Sequence, residues 1–328
     1  MEQRRFSGKG HWYHETQSNH SQTDVLPLVP EAANVDDRFL LDLALPDDIL
    51  ASCAGWLAPA RTLCHLLFPL DTPVSRLHTL SAYDRLSTAL TVAQACGVQR
   101  LCNHYAALLA PLPGPDSSRE SNRRLAEITQ YARQLASSPD VIDDKAQNQL
   151  DEVGLTTYDI VLINQIIGFV GFQARVVAVF QALLDHPVRW LPGHHIQPHT
   201  LPVSFSRWTA TLPAVELKYA SALQLEALSR WQAEPALEAL TPVLCHEPML
   251  LNLTGEILLN HPLSEGPASS LISAARALLV ASPDRFSAAQ LTPLTGSGLS
   301  PEKAINLLTR DAFYGWLDRL RVALGKEE

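Results

Sequence analysis

Basic residues are few in this chain and are not clustered. Lys and Arg number 25 against 34 Asp and Glu, which gives a net charge of −9, and no basic run follows Arg4 and Arg5. Nucleic acid and anionic membranes bind to basic patches, so neither is expected as a partner. The first twenty residues also lack the apolar segment of a secretory signal, which predicts a cytoplasmic protein.

The chain has few cysteines, and their number is odd. The 328 residues contain five cysteines, at spacings that match no disulfide framework. Free thiols in a reducing compartment are therefore expected.

Signatures of cofactor and metal sites are missing too. No phosphate loop and no dinucleotide fingerprint follows a predicted strand, so no nucleotide cofactor is expected. His194, His195 and His199 lie in a Pro-rich stretch, but their spacing matches no strong metal signature. The sequence predicts neither a cofactor nor a metal.

Helical periodicity is what the chain has in abundance. Hydrophobic residues make up 46% of it, their spacing is helical nearly throughout, and β-branched runs between hairpin turns are absent, which predicts an all-α fold. The longest apolar stretch, Ile160 to Leu184, contains Asn164, Gln165 and Arg175. These polar groups are costly in a bilayer, so we expect a central buried helix.

Composition divides the chain into four parts. We expect an N-terminal extension over residues 1–34, a first helical domain over 35–190, a Pro- and His-rich linker over 191–207 and a second helical domain over 208–328.

Several helix ends can be placed from local signals. One helix is predicted from Asp36 to Trp56 and a separate one from Pro59 to Phe68. Ser81 and Thr156 each stand three residues before an Asp, a pattern that predicts capped helix starts.

Two segments carry a resemblance to a known family. LTVAQACGVQRLCNHYAALL, residues 90–109, and LTTYDIVLINQIIGFVGFQARVVAVFQALL, residues 155–184, are similar to helices of the carboxymuconolactone decarboxylase-like family, which includes alkyl hydroperoxide reductase D. The resemblance implies two tandem helical domains of this type, the second degenerate. It also implies a peroxidase-related oxidoreductase, a homo-oligomer and an external thiol reductant.

The family's active members use a Glu, a Cys-x-x-Cys pair and a His. The resemblance matches Cys102 to the second cysteine, with Gln99 at the first and Ser87 at the relay glutamate. In the second domain it matches Ala277 and Val280 to the cysteines, Asp284 to the histidine and Glu265 to the glutamate. At most, one-cysteine chemistry is implied.

That chemistry would use Cys102 with His104 as its partner. A thiol in the first turn of a helix feels the positive end of the helix dipole, which favours the thiolate. Cys96, six residues earlier, is the candidate resolving thiol. The opposing interpretation is that Cys96 and Cys102 are small residues filling a helix corner.

The alternative function is a non-catalytic oligomeric scaffold or small-molecule-binding protein that kept the fold. The guanidinium of Arg175 in so apolar a helix needs a carboxylate, a set of carbonyls or an anionic ligand. Arg175, Gln173 and Asn164 are therefore the candidate ligand-binding residues. The apolar helix from Ile160 to Leu184 is the expected surface for self-association.

Overall fold

The computed structural model describes residues 28–188, 196–197, 208–261 and 270–327, and it shows the predicted all-α fold. In this part of the chain, twelve α-helices follow one another. They are α1 Asp47–Leu67, α2 Ala82–Cys96, α3 Gln99–Leu109, α4 Arg119–Ser137, α5 Asp144–Glu152, α6 Thr157–Leu183, α7 Ala222–Trp231, α8 Thr241–Leu244, α9 Pro248–Asn260, α10 Ser270–Ala281, α11 Ala288–Gly296 and α12 Pro301–Leu324.

Within the described ranges, a small sheet is the one departure from the all-helical expectation. β1, Trp208–Ala210, pairs antiparallel with β2, Gly325–Glu327. The Trp208 indole donates to the Arg321 carbonyl at 2.9 Å. A Cβ at Gly325 would meet the Trp208 ring at 2.1 Å, so only glycine fits here. Strands of three residues carry too short a pattern to be recognised in a sequence.

The first helix corrects the prediction for residues 36–68. It starts at Asp47 rather than Asp36 and continues through Pro59 to Leu67. The residues before it form turns instead, because the Asp42 carboxylate accepts from the Asp36 and Asp37 amides. Proline ordinarily breaks a helix, but Pro59 is buried within α1, where this helix packs along α9.

The predicted caps are confirmed. Ser81 and Asp84 form a capping box at the start of α2, and Thr156 and Asp159 form one at the start of α6. In each, the hydroxyl accepts from an amide of the first turn and the acid accepts in return.

α6 is the central helix, as predicted. It is long and apolar enough to cross a membrane, and 89% of its most apolar window is buried inside the protein. It packs most extensively on α12 and also on α2 and α4. Its apolar surface is thus covered within one chain.

The elements from α4 to α6 recur, in the same order and spacing, from α10 to α12. Ser138-Pro139-Asp140 recurs as Ser282-Pro283-Asp284, each opening a 3₁₀ helix. α5 and α11 then have the same length and lie 144 residues apart, as do the starts of α6 and α12. Gly154 before α6 and Gly298 before α12 both have positive φ, and they also lie 144 residues apart. α4–α6 and α10–α12 are therefore two copies of one arrangement.

The two copies share one core. Buried side chains from α1 to α12 form a single hydrophobic cluster across the described residues. Phe172 stacks on Trp316, its counterpart in the repeat, with ring centroids 6.1 Å apart. The division into two tandem domains stays a prediction, and residues 1–27 of the expected extension and 191–195 and 198–207 of the expected linker lie outside the described residues.

Candidate functional site

The predicted thiol site is a tight helix corner. Cys96 ends α2, Gly97 turns with φ of 70°, and Cys102 lies in the first turn of α3. A Cβ at Gly97 would meet the Asp284 side chain at 2.9 Å, so the corner packs against the second copy of the repeat. All five cysteines are free thiols, as predicted.

Cys102 lies in surroundings that favour the protonated thiol. The residue is partly exposed, but its sulfur is surrounded by protein, and this burial raises the pKa of Cys102 to about 12. The neighbouring Cys96 thiol raises the pKa further. The helix dipole does not overcome the loss of water around the sulfur.

His104 is a structural residue in this arrangement. Its Nδ1 lies 2.7 Å from the Ala32 carbonyl oxygen, so Nδ1–H donates to it. Burial lowers the pKa of His104 to about 4, so the ring is neutral at pH 7. Cys102 and His104 are two positions apart on one helix, and side chains at this spacing do not face each other.

The predicted ligand-binding residues also bind protein groups. The Gln173 amide donates to the Arg38 and Phe39 carbonyls, at 2.9 Å each, and accepts from the Tyr105 hydroxyl at 2.7 Å. The Asn164 amide accepts from the Tyr131 hydroxyl at 2.9 Å. Both side chains are fully buried.

Residues 28–45 form a strap over this region. Besides the contacts of His104 and Gln173, the Arg100 guanidinium donates to the Leu41 carbonyl at 2.7 Å. Leu41 and Asp42 have φ near 55°, a strained conformation held by these bonds. Two of the side chains predicted to act on a substrate, those of His104 and Gln173, hold this strap instead.

Arg175 finds carbonyls rather than a carboxylate. Its guanidinium donates to the Gly171 and Val280 carbonyls at 2.8 Å each. Arg319, its counterpart in the repeat, donates to Gly315 at 2.9 Å and to Ala136 at 3.2 Å. Arg175 thus joins α6 to the C-terminal end of α10, and Arg319 joins α12 to the C-terminal end of α4. We call this pair the arginine clasp.

The clasp also surrounds Cys96. The charges of both arginines act to lower the pKa of its thiol. Burial outweighs them and raises the pKa of Cys96. Burial, and then the charge of Arg175, lower the pKa of Arg319 to about 10.

The repeat does not equate the residues that the resemblance equates. Ala277 and Val280 lie on α10. At the interval of 144 residues, their equivalents in the first copy are Arg133 and Ala136 on α4, not residues of α3. Glu265 lies outside the described residues.

A second group of polar side chains was not predicted as a site. His78 and His246 each lie with their rings 5.0 Å from that of Tyr158, edge to face. Glu247 contacts His78 Nδ1 at 3.4 Å. We call these four residues the two-histidine cluster. Cys245-His246-Glu247 can be noticed in the sequence, but the approach of His78 and Tyr158 is tertiary and leaves no local signal.

One shallow cavity lies elsewhere. It measures about 260 Å³ and is lined by Asp36, Asp37, Arg38, Phe39, Arg61 and His65. None of the predicted site residues lines it.

Comparison with known proteins does not assign the chain to a family. No family model matches the chain, and no curated protein matches it. The resemblance to the carboxymuconolactone decarboxylase-like family therefore stays a prediction.

Proposed function

We propose that this chain is a non-catalytic, cytoplasmic small-molecule-binding protein that descends from the carboxymuconolactone decarboxylase-like family and has lost its thiol chemistry. The observation that supports this most is the state of Cys102 and His104. The thiol has a pKa of about 12, and the imidazole nearest in sequence is bound to the Ala32 carbonyl.

The chemical consequence is large. Peroxide reduction requires a thiolate, and a thiol with this pKa is ionised in only about one molecule in 10⁵ at pH 7. The relay acid is replaced by Ser87, whose buried hydroxyl has no hydrogen-bond partner among the described residues. Neither Ser87 nor His104 is placed to take up the proton of Cys102.

One observation favours a second candidate function. Cys96, not Cys102, is the thiol whose pKa the charges of two guanidinium groups act to lower. A one-cysteine oxidoreductase that uses an external thiol reductant would therefore react at Cys96. Its burial, with 1% of the residue exposed, argues against access by a hydroperoxide.

The test is hydroperoxide consumption by the purified chain with dithiothreitol as reductant. Cys96→Ser and Cys102→Ser are run beside the wild type, and intact mass detects an added oxygen. We expect no turnover and unmodified thiols in all three proteins. Turnover that Cys96→Ser abolishes would establish the second candidate, and turnover that only Cys102→Ser abolishes would restore the prediction from sequence.

A homo-oligomer stays part of the proposal, but α6 is not its surface because α12, α2 and α4 cover it. The described surface instead exposes Leu70, Val74 and Leu77 in the loop before α2. We expect light scattering after gel filtration to give more than the 36.0 kDa of one chain. A monomer mass at all concentrations would remove this part of the proposal.

A further inference from the structure

The two-histidine cluster is held rigidly. Asp159 accepts from the Thr79 amide at 2.8 Å and from the Leu80 amide at 3.2 Å, which fixes the segment that carries His78. The Thr156 hydroxyl donates to the Leu77 carbonyl on the other side of His78. The same two residues cap α6, so His78 is positioned against Tyr158 by the start of that helix.

His246 presents an acceptor without a donor. Its Nε2 lies 2.9 Å from the Pro213 carbonyl oxygen, which can only accept, so Nε2 carries the hydrogen. In the neutral ring, Nδ1 then holds a lone pair. Nδ1 is buried and has no hydrogen-bond partner among the described residues. A buried group of this kind is rare in a folded protein and requires an explanation.

Glu247, the next residue, is short of donors as well. Its side chain is 22% exposed, and within the described part of the chain its one polar contact is His78 Nδ1 at 3.4 Å. Arg85 acts on Glu247 through its charge, and the Arg85 Nη1 donates to the Leu67 carbonyl at 3.3 Å. Burial and the charge of Asp159 raise the pKa of Glu247. The carboxylate lacks the hydrogen bonds that would stabilise its charge.

The ring geometry suits a cation. The imidazoles of His78 and His246 pack edge to face on the Tyr158 ring, at interplanar angles of 63° and 76°, so the three rings do not form a flat stack. The face of a tyrosine ring near a carboxylate attracts organic cations. The net charge of −9 on the chain favours the approach of a cation as well.

We propose that His78, Tyr158, His246 and Glu247 form a binding site for a small molecule that carries a primary ammonium group. Its N–H groups donate to His246 Nδ1 and to the Glu247 carboxylate, and its charge lies beside the Tyr158 ring. This supplies donors to both groups that lack them. The inference rests on the proposed function and gives it a site and a ligand class.

The test uses the full chain with ¹³C-labelled histidine and n-butylammonium as the probe, followed by NMR. We expect the His78 and His246 signals to shift saturably. Butyrate, which has the same alkyl chain and the opposite charge, is expected to leave them unmoved. Absence of saturation with butylammonium, or equal shifts with butyrate, would overturn the proposal.

Variants separate the site from general charge effects. Glu247→Gln keeps the size of the side chain and is expected to weaken binding about tenfold or more, because a charge-assisted hydrogen bond is lost. His246→Phe keeps the ring against Tyr158 and removes the Nδ1 acceptor, so it is expected to weaken binding too. His65→Gln, an exposed histidine on α1, is the control and should leave binding unchanged.

Unchanged affinity in both Glu247→Gln and His246→Phe would refute the site. If one variant fails to fold by circular dichroism, the other still decides the question. The inference and the proposed function fail separately. Peroxide turnover with intact butylammonium binding refutes only the loss of thiol chemistry, whereas inert thiols with no binding refute only this site.

Discussion

Replacing Arg175 by Met tests the arginine clasp. Met keeps most of the side-chain volume and removes the hydrogen bonds to the Gly171 and Val280 carbonyls. A hydrogen bond from a charged group contributes about 1.5 to 3 kcal/mol, so the two together contribute about 3 to 6 kcal/mol.

Two effects oppose this loss. The variant no longer buries a charge, and it removes the repulsion that, after burial itself, lowers the pKa of Arg319 to about 10. Replacing a buried charged group by an apolar one of similar volume often recovers several kcal/mol. We therefore expect a net destabilisation of about 2 kcal/mol.

The reciprocal geometry makes a sharper prediction. Arg319→Met removes the equivalent bonds to Gly315 and Ala136, so it should cost about as much. The first substitution already removes the repulsion between Arg175 and Arg319. In the double variant, the second substitution should therefore lower the free energy of unfolding by more than it does alone.

Urea unfolding at pH 7, followed by circular dichroism, measures all three variants. Arg123→Met is the control, because its ion pair with Glu152 is more than half exposed on both sides and should contribute less than about 1 kcal/mol. The reasoning would be refuted if Arg175→Met were as harmless as the control while Arg319→Met were strongly destabilising.

Three further outcomes are expected. Iodoacetamide at pH 7 should label Cys102 slowly in the folded protein and readily in urea, since its folded pKa is about 12; rapid labelling would contradict a buried thiol. The pKa of His104 falls from 6.5 to about 4 on folding, so its contribution to stability is present above pH 6.5 and is lost as pH falls to 4. That loss should amount to about 3 kcal/mol in urea unfolding, and His104→Gln should show a smaller loss over the same range. Gly168→Ala places a Cβ 1.8 Å from the Trp316 ring and should lower the melting temperature sharply, whereas Gly315→Ala, with its nearest atom at 3.6 Å, should not.

Much of the fold could be predicted because its signals are local. The starts of α2 and α6 follow from the Ser81 and Thr156 caps, and each helix begins at the residue after its cap. α1 could not be placed in this way. Its start follows the Asp42 bonds to preceding amides, and it continues through Pro59, a residue that ordinarily ends a helix.

The candidate site could be predicted far less well, for a related reason. Sequence spacing brought Cys102 and His104 together because they are near neighbours in the chain. Side chains two residues apart on a helix point in different directions. The His104 ring contacts the Ala32 carbonyl, 72 residues earlier in the chain. The side chains that do gather in one place, around Tyr158, come from three segments that no spacing rule connects.

The polar residues of α6 show the same principle at the centre of the molecule. Asn164, Gln173 and Arg175 are unfavourable in an apolar helix only if they lack partners. Each finds one from another element: the Tyr131 hydroxyl for Asn164, the strap carbonyls for Gln173 and the end of α10 for Arg175. Ligand recognition therefore does not explain why these residues are polar. They join distant segments to the central helix, and the binding site that we propose lies elsewhere, at His246 and Glu247.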